Sequence, residues 1–478
     1  MKFLYVWHMR RRVFSTEKKS SSILIIGALI PSSGLFVVNS LFLYSSDNSE
    51  ILLLYFQSVL AVVFGAVFFA PAWGRVPLKT EGELIPYRFI GRGAVSLARF
   101  RGLYLGLLIL PLAMAVSIQP LSEYLFTDLE SQKKFILFTF VILTVNIFFN
   151  SLKNRIRIDS VIGYSTVLIA LCYLIFQIFI GEHHTIQPPN HLSVWMNNIH
   201  FKPLLLSIVL LWWFATIVDL PDMRGQLLLT LKNGSDSRRN MIIALIIAYF
   251  VQGILLSFPL LYPAENQWSW ISNLFIVFVV INAFQAMFST NHWTASLIYA
   301  GVIRPMISND NNERAFGMIT MFVGIGISAL WLTMGKSTAE LLGTIFLFTA
   351  GVGPVFIARW FWSKVNAKTV LSAMIGAPLI WILWLLVKQT GMYPFLMQQL
   401  GISEAFIDIL IPGLLNTMVW LITLVLTNNT EEEVYAKNWI QEIGILNEFK
   451  SGKNWLLFIG LSLLSGLILF GPSLVLGK

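Results

Sequence analysis

A polar side chain inside an apolar run costs free energy unless something satisfies it, so such residues mark where chemistry is expected. Asn282, Gln285, Ser289, Thr290 and Asn291 all fall within the apolar run Ile271–Ala300. On a helix, Ala286 and Ser289 stand three apart and share a face, and the amides beside them can line a polar cavity. Hydroxyl and amide oxygens of this kind suit a small polar solute or a hard cation. The competing reading is that Ser289 and Thr290 bond to backbone carbonyls or pack helices together.

Two Gly/Pro interruptions accompany this run. Pro31-Ser32-Ser33-Gly34 lies near the middle of an early apolar stretch, and Asp219-Leu220-Pro221-Asp222 closes a later one. Within a bilayer an unwound turn frees carbonyls and amides that an ion or solute can satisfy in place of water. A kinked packing helix, or a helix stop at Pro221, accounts for the same residues without a ligand. Asp219 and Asp222 are read as partners of Arg224 at the membrane edge, with Asp219 also a candidate lining residue. Trp212 and Trp213 offer rings that stack on a substrate or anchor a helix at the interface. His183, His184, His191 and His200 share one loop, but their spacing fits no defined zinc pattern. No phosphate-binding loop, nucleophile elbow or HExxH string is present, so the sequence gives enzymatic chemistry no support.

The elements that must position these residues follow from composition. Of 478 residues, 56% are hydrophobic and 12% charged, about half the charged fraction of an ordinary soluble domain. Such a chain cannot cover a water-soluble globule with polar surface. Cys172 is the single cysteine, which excludes an intramolecular disulfide and any multi-cysteine metal site. About thirteen apolar runs approach the roughly 20 residues that a bilayer crossing needs. They are Ser22–Tyr44, Ile51–Trp73, Gly102–Gln119, Phe135–Asn150, Ser160–Ile180, Pro203–Leu220 and Met241–Leu261. The others are Ile271–Ala300, Phe316–Met334, Ala339–Trp360, Val370–Val387, Ala405–Leu426 and Trp455–Leu476.

Charge orients these spans. With the N-terminus inside, only Lys133, Lys134, Lys202, Lys336, Lys388 and Lys478 fall outside, leaving 27 of the 33 basic residues in cytoplasmic stretches. The topology expected is therefore N-in and C-out, and the basic excess orients the chain rather than binding nucleic acid. The first apolar run exceeds the length of a signal-peptide core, so a cleaved leader is the weaker reading. Residues 428–454, with Glu431–Glu433 and "AKNWIQEIGILNEF", read as a cytoplasmic amphipathic segment. It is expected to lie on the lipid bilayer, meet a protein partner, or simply connect two spans.

Three strings carry a resemblance to the sodium/solute symporter family. "LKTEGELIPYRFIGRGAVSLARFRGLYLGL" (Leu78–Leu107) is similar to the intracellular signature after the second core helix, through Thr80, Glu83, Arg88, Phe89, Arg99, Arg101 and Tyr104. "GVGPVFIARWFWSKVNAKTVLSAMIGA" (Gly351–Ala377) resembles the tenth core helix and following loop of the family's bacterial branch. "AFQAMFSTNHWTASLIY" (Ala283–Tyr299) resembles the eighth.

The resemblance implies an all-α polytopic protein with an inverted-repeat, leucine-transporter-like core. A basic N-terminus (1–21), a ten-helix core (22–377) and accessory helices (378–478) would follow one another along the chain. It further implies sodium as coupling ion, held by Ala286, Ser289 and Thr290 and by carbonyls around Ile30 and Ser33. Ser32, Gly34, Trp213, Asp219, Asn282 and Gln285 are the candidate lining residues of a substrate cavity. The function implied is symport of a small polar organic solute by alternating access, in the inner membrane. Three departures from the family pattern bear on that expectation. Asp159 is kept but Ile162 stands where a Gln is usual, "DMRGQL" keeps Gln226 without the following Arg, and His292 enters just past Thr290. A non-transporting membrane scaffold or sensor that keeps the fold is the alternative.

Overall fold

A computed structural model describes residues 21–32, 59–78, 80–148, 152–180, 223–231, 233–261, 270–306, 313–335, 338–390, 393, 404–427 and 430–476. Among these residues the chain is helical, with no strand. The first half contains α1 (Ser22–Ser32), α2 (Val59–Arg75), α3 (Leu84–Arg88), α4, α5 (Leu129–Phe148) and α6 (Leu152–Ile180). Helix α4 runs through Gly91–Leu103, a π-helical stretch Tyr104–Ile109, and Leu110–Leu125. Next come α7 (Met223–Leu228), α8 (Gly234–Leu261), α9 (Trp270–Ile298), α10 (Glu313–Thr333), α11 (Thr338–Thr349) and α12 (Gly353–Ala358). Last are α13 (Ala367–Lys388), α14 (Glu404–Leu426), α15 (Thr430–Ile443), α16 (Ile445–Lys450) and α17 (Gly452–Leu476).

Most helices coincide with the expected spans, and the departures have physical causes. Helix α6 opens at Leu152, not Ser160, and α4 opens at Gly91, not Gly102. In both cases arginines push an apolar-run boundary inward, although the backbone is already helical. The run Ala339–Trp360 is not one helix: it divides at residues 350–352 into α11 and α12. Gly351 takes a left-handed conformation there (φ +72°), which a side chain would resist. The Ala350 carbonyl accepts from Asn416 Nδ2 at 2.7 Å, so the freed backbone group is not left bare in the interior. By length and apolar composition alone, Gly91–Glu123, Ala315–Thr333 and Ala367–Lys388 suffice to cross a bilayer. The span expected at Pro203–Leu220 and most of Ser22–Tyr44 lie outside the described residues.

Among the described residues, three large buried apolar clusters hold the bundle, and a smaller one of Trp384, Tyr393 and Ile407 joins α13 to α14. One joins α1, α2, α7 and α8 to α15 and α16, with α17 packed on it. A second joins α3, α4 and α11–α14, and a third joins α4, α5, α6, α9 and α10. Long aliphatic residues such as Leu137, Leu168, Leu383, Leu456 and Leu463 point outward, while Arg101, Arg155 and Asp159 are buried. Apolar outside and polar within is the arrangement lipid favours. Helix α1 crosses α6 at Gly27 and Gly163, where a Cβ on Gly163 would lie 2.0 Å from the Gly27 carbonyl oxygen. This crossing sets where α6 stands, and therefore where its charged residues face α9.

Candidate functional site

Along α6 and α9 the buried polar groups meet in one seam. Asp159 and Arg155, one turn apart on α6, form an ion pair with each side chain only 1% exposed. Arg155 Nε donates to Asp159 Oδ2 at 2.9 Å, and its Nη2 reaches Oδ1. The same Nη2 donates to the Gln285 carbonyl of α9 at 3.2 Å, and the guanidinium lies 5.2 Å from the Phe288 ring centroid. Ser289 Oγ donates to Asp159 Oδ2 at 3.4 Å and accepts from Gln285 Nε2 at 3.1 Å. Further along, Asn282 and Thr166 bond each other across the seam at 3.1–3.2 Å.

Of the residues expected at an ion or solute site, the structure thus brings Asn282, Gln285 and Ser289 together. Ala286 and Thr290 flank them on α9, half-buried, and Thr290 accepts from Thr294 through its carbonyl. Ile30 is buried in α1, which packs on both α6 and α9. Helix α1 continues through Pro31 and Ser32, while Ser33 and Gly34 lie outside the described residues, as do Trp213 and Asp219. The principal residue missed as a functional candidate is Arg155. Its signal was available: with Asp159 it makes an i,i+4 pair, and both sit beside an apolar run.

The polar residues of Leu78–Leu107 serve as struts. Arg88 donates to the carbonyls of Arg359 (2.7 Å), Trp362 (3.3 Å) and Val365 (3.3 Å). Burial, and then the charge of Arg359, lower its pKa to about 9. Glu81 receives Arg101 and, at 3.3 Å, Trp293 Nε1 from α9, while its amide donates to Gln226 at 2.8 Å. Arg304 reaches Glu83 at 3.1 Å, and Tyr104 donates to the Phe348 carbonyl. These contacts tie the short helix turn before α3 to α4, α7 and α9, the last at Trp293, one turn beyond Ser289.

The amphipathic segment of residues 428–454 finds its cover within the chain. Ala436, Trp439, Ile440 and Ile443 are buried, and Tyr435 donates to the Tyr87 carbonyl at 2.9 Å. Glu448 takes Arg75 of α2 and Arg238 of α8, with Asn454 Nδ2 at 2.8 Å. Burial alone would raise the Glu448 carboxyl, but the Arg75 bond, the Arg238 charge and the Asn454 bond together hold it below its ordinary value. The apolar face that was expected to meet the bilayer or a protein partner is therefore occupied in cis.

No protein-family model and no curated protein sequence matches this chain. Among solved structures it is similar to a Na+-coupled sialic acid symporter in a substrate-bound outward-open state. That likeness has a TM-score of 0.55 at 15% identity and covers 86% of this chain and 90% of the other. It is also similar to a nucleobase-cation-symport-1 family transporter in a closed conformation with bromovinylhydantoin bound, at a TM-score of 0.48 and 12% identity, covering 90% and 99%. The first likeness shows a shared fold, and the symporter-type, leucine-transporter-like helical architecture expected from the sequence is borne out.

Proposed function

We propose that the chain is a secondary active transporter that couples a cation gradient to movement of a small polar organic solute by alternating access. The observation that supports this most strongly is the placement of the α6–α9 polar seam inside a symporter-type bundle. Buried hydrogen-bonding groups there face one another across two helices instead of being replaced by apolar packing. Sodium is the coupling ion we infer, held by Ala286, Ser289 and Thr290 with carbonyls around Ile30 and Ser33. A hydroxyl offers two acceptor sites; among the described residues Ser289 uses one for Gln285 and keeps the other. Asn282 and Gln285 are the lining residues we assign to the solute path, together with Ser32, Gly34, Trp213 and Asp219. One positive charge entering down a potential of 100 mV gains about 2.3 kcal/mol, to which the concentration gradient adds.

The test is uptake into proteoliposomes of labelled sugars, amino acids, carboxylates and nucleosides under an imposed inward sodium gradient. Accumulation of one class above its outside concentration, abolished when the gradient is collapsed, is the outcome expected. The alternative, a scaffold or sensor that keeps the fold, gains from the commitment of Asp159 to Arg155. It predicts no accumulation of any class and a stoichiometric protein partner on purification.

A further inference from the structure

The α6–α9 seam presents the ligands of a cation site with a cation already supplied by the chain. Its electron-rich groups are the Asp159 carboxylate, the Gln285 main-chain carbonyl, the Phe288 ring face and, on the carboxylate, the Ser289 hydroxyl. Carboxylate, carbonyl and hydroxyl oxygens are what a hard monovalent cation would take. The Arg155 guanidinium contacts the carboxylate, the carbonyl and the ring. Within the seam Gln285 Oε1 is a further buried acceptor with no hydrogen-bond partner among the described residues.

Helix stability explains the pair only weakly. An i,i+4 ion pair supports a helix best with the acid N-terminal, and here the order is reversed. Solubility does not explain it, since both side chains are buried. A planar guanidinium does fit a carboxylate with two parallel bonds, and it never loses its charge. Being tethered one turn away, it competes with a free ion at an effective concentration on the order of millimolar or above.

We propose that Arg155 is a built-in cation that fills the Asp159 position, so that no free ion binds there unless Arg155 is removed or swings out. The site thereby revealed takes a small monovalent cation. This deepens the proposed sodium coupling and rests on that reading for its transport consequence: any mobile ion bound at Ser289 and Thr290 takes no ligand from Asp159.

The experiment is a thermal-unfolding titration of purified full-length protein with sodium, potassium or choline chloride at constant ionic strength. Ligands that bind the native state selectively raise the midpoint with the logarithm of their concentration. Arg155→Gln is expected to gain a sodium-selective rise in Tm beyond that of wild type, and Arg155→Gln/Asp159→Asn is expected to lose that gain. Equal ion responses in folded Arg155→Gln and wild type would overturn the proposal. Should Arg155→Gln not fold, the charge-neutral double variant decides. A sodium-selective shift that is larger in wild type than in the double variant means that the native protein already binds an ion at Asp159, and overturns the inference; equal shifts support it. Failure of the transporter reading looks different, because it removes accumulation of solute while leaving the Arg155→Gln gain in place.

Discussion

Two of the protein's acid–arginine clusters differ in almost every respect. Arg155 and Asp159 are neighbours on one helix, each 1% exposed, and among the described residues their other hydrogen bonds go to a single partner helix. Glu448 instead gathers Arg75 and Arg238 from distant parts of the chain, with the arginines 36% and 24% exposed. The first cluster sits where water cannot share its charges, so each partner depends on the other. The second lies at the end of α2 and the start of α8, where its arginines are partly exposed and solvent screens it, and acts as a clamp that holds α16 against the bundle. A buried ion pair that adds little to the helix bearing it is better understood as part of a site. A half-exposed one between remote segments is better understood as a fastening.

Breaking the buried pair gives the largest expected effect. Asp159→Asn leaves the Arg155 charge uncompensated and is expected to cost about 3–5 kcal/mol, read by thermal or denaturant unfolding in detergent. The charge-neutral pair Arg155→Gln/Asp159→Asn is expected to recover much of that loss. Full additivity of the two single changes would show that the side chains do not act together. Displacing the seam without touching its charges comes next. Gly163→Ala forces a methyl against the Gly27 carbonyl and is expected to cost about 1–3 kcal/mol as an overpacking change. A midpoint unchanged from wild type would mean that α1 and α6 separate easily.

Glu448→Gln is expected to be milder, about 1 kcal/mol, and to shrink further at 1 M salt because its arginines are partly solvated. An effect as large as that of Asp159→Asn would erase the distinction between clamp and site. The smallest effect is the pH dependence of the clamp. The Glu448 carboxyl is held below its ordinary value in the fold, so its contribution is present above the unfolded pKa of about 4.3 and is lost as pH falls through the lower folded value. The gap between wild type and Glu448→Gln should therefore be constant at neutral pH and close on acidification. A gap that widened on acidification would contradict the assignment.

Much of this architecture was legible because the bilayer demands long apolar runs, and those runs match α9, α10, α13, α14 and α17 closely. The polar face of α9 was legible for the complementary reason: Asn282, Gln285 and Ser289 have no place in an apolar span unless something meets them. What meets them was harder to see. Arg155 and Asp159 lie at the charged edge of their run, so apolarity assigned them to a loop, although α6 had already begun at Leu152. The break at Gly351 was hidden because its apolar flanks read as continuous, and the glycine's left-handed backbone leaves no trace in composition. The cover over residues 428–454 was hidden as well, since an amphipathic face shows that something packs on it without showing what. The neutral carbonyls expected around Ser33 fall outside the described residues.

The central claim is that the polar face of α9 binds the coupling ion within a symporter-type fold. Its most direct test is sodium-selective stabilisation of the purified protein, compared with Ser289→Ala/Thr290→Ala. Sodium is expected to raise the Tm of wild type in proportion to the logarithm of its concentration, with potassium and choline inert and the response absent from the double variant. Equal action of sodium and potassium on both proteins would contradict the claim.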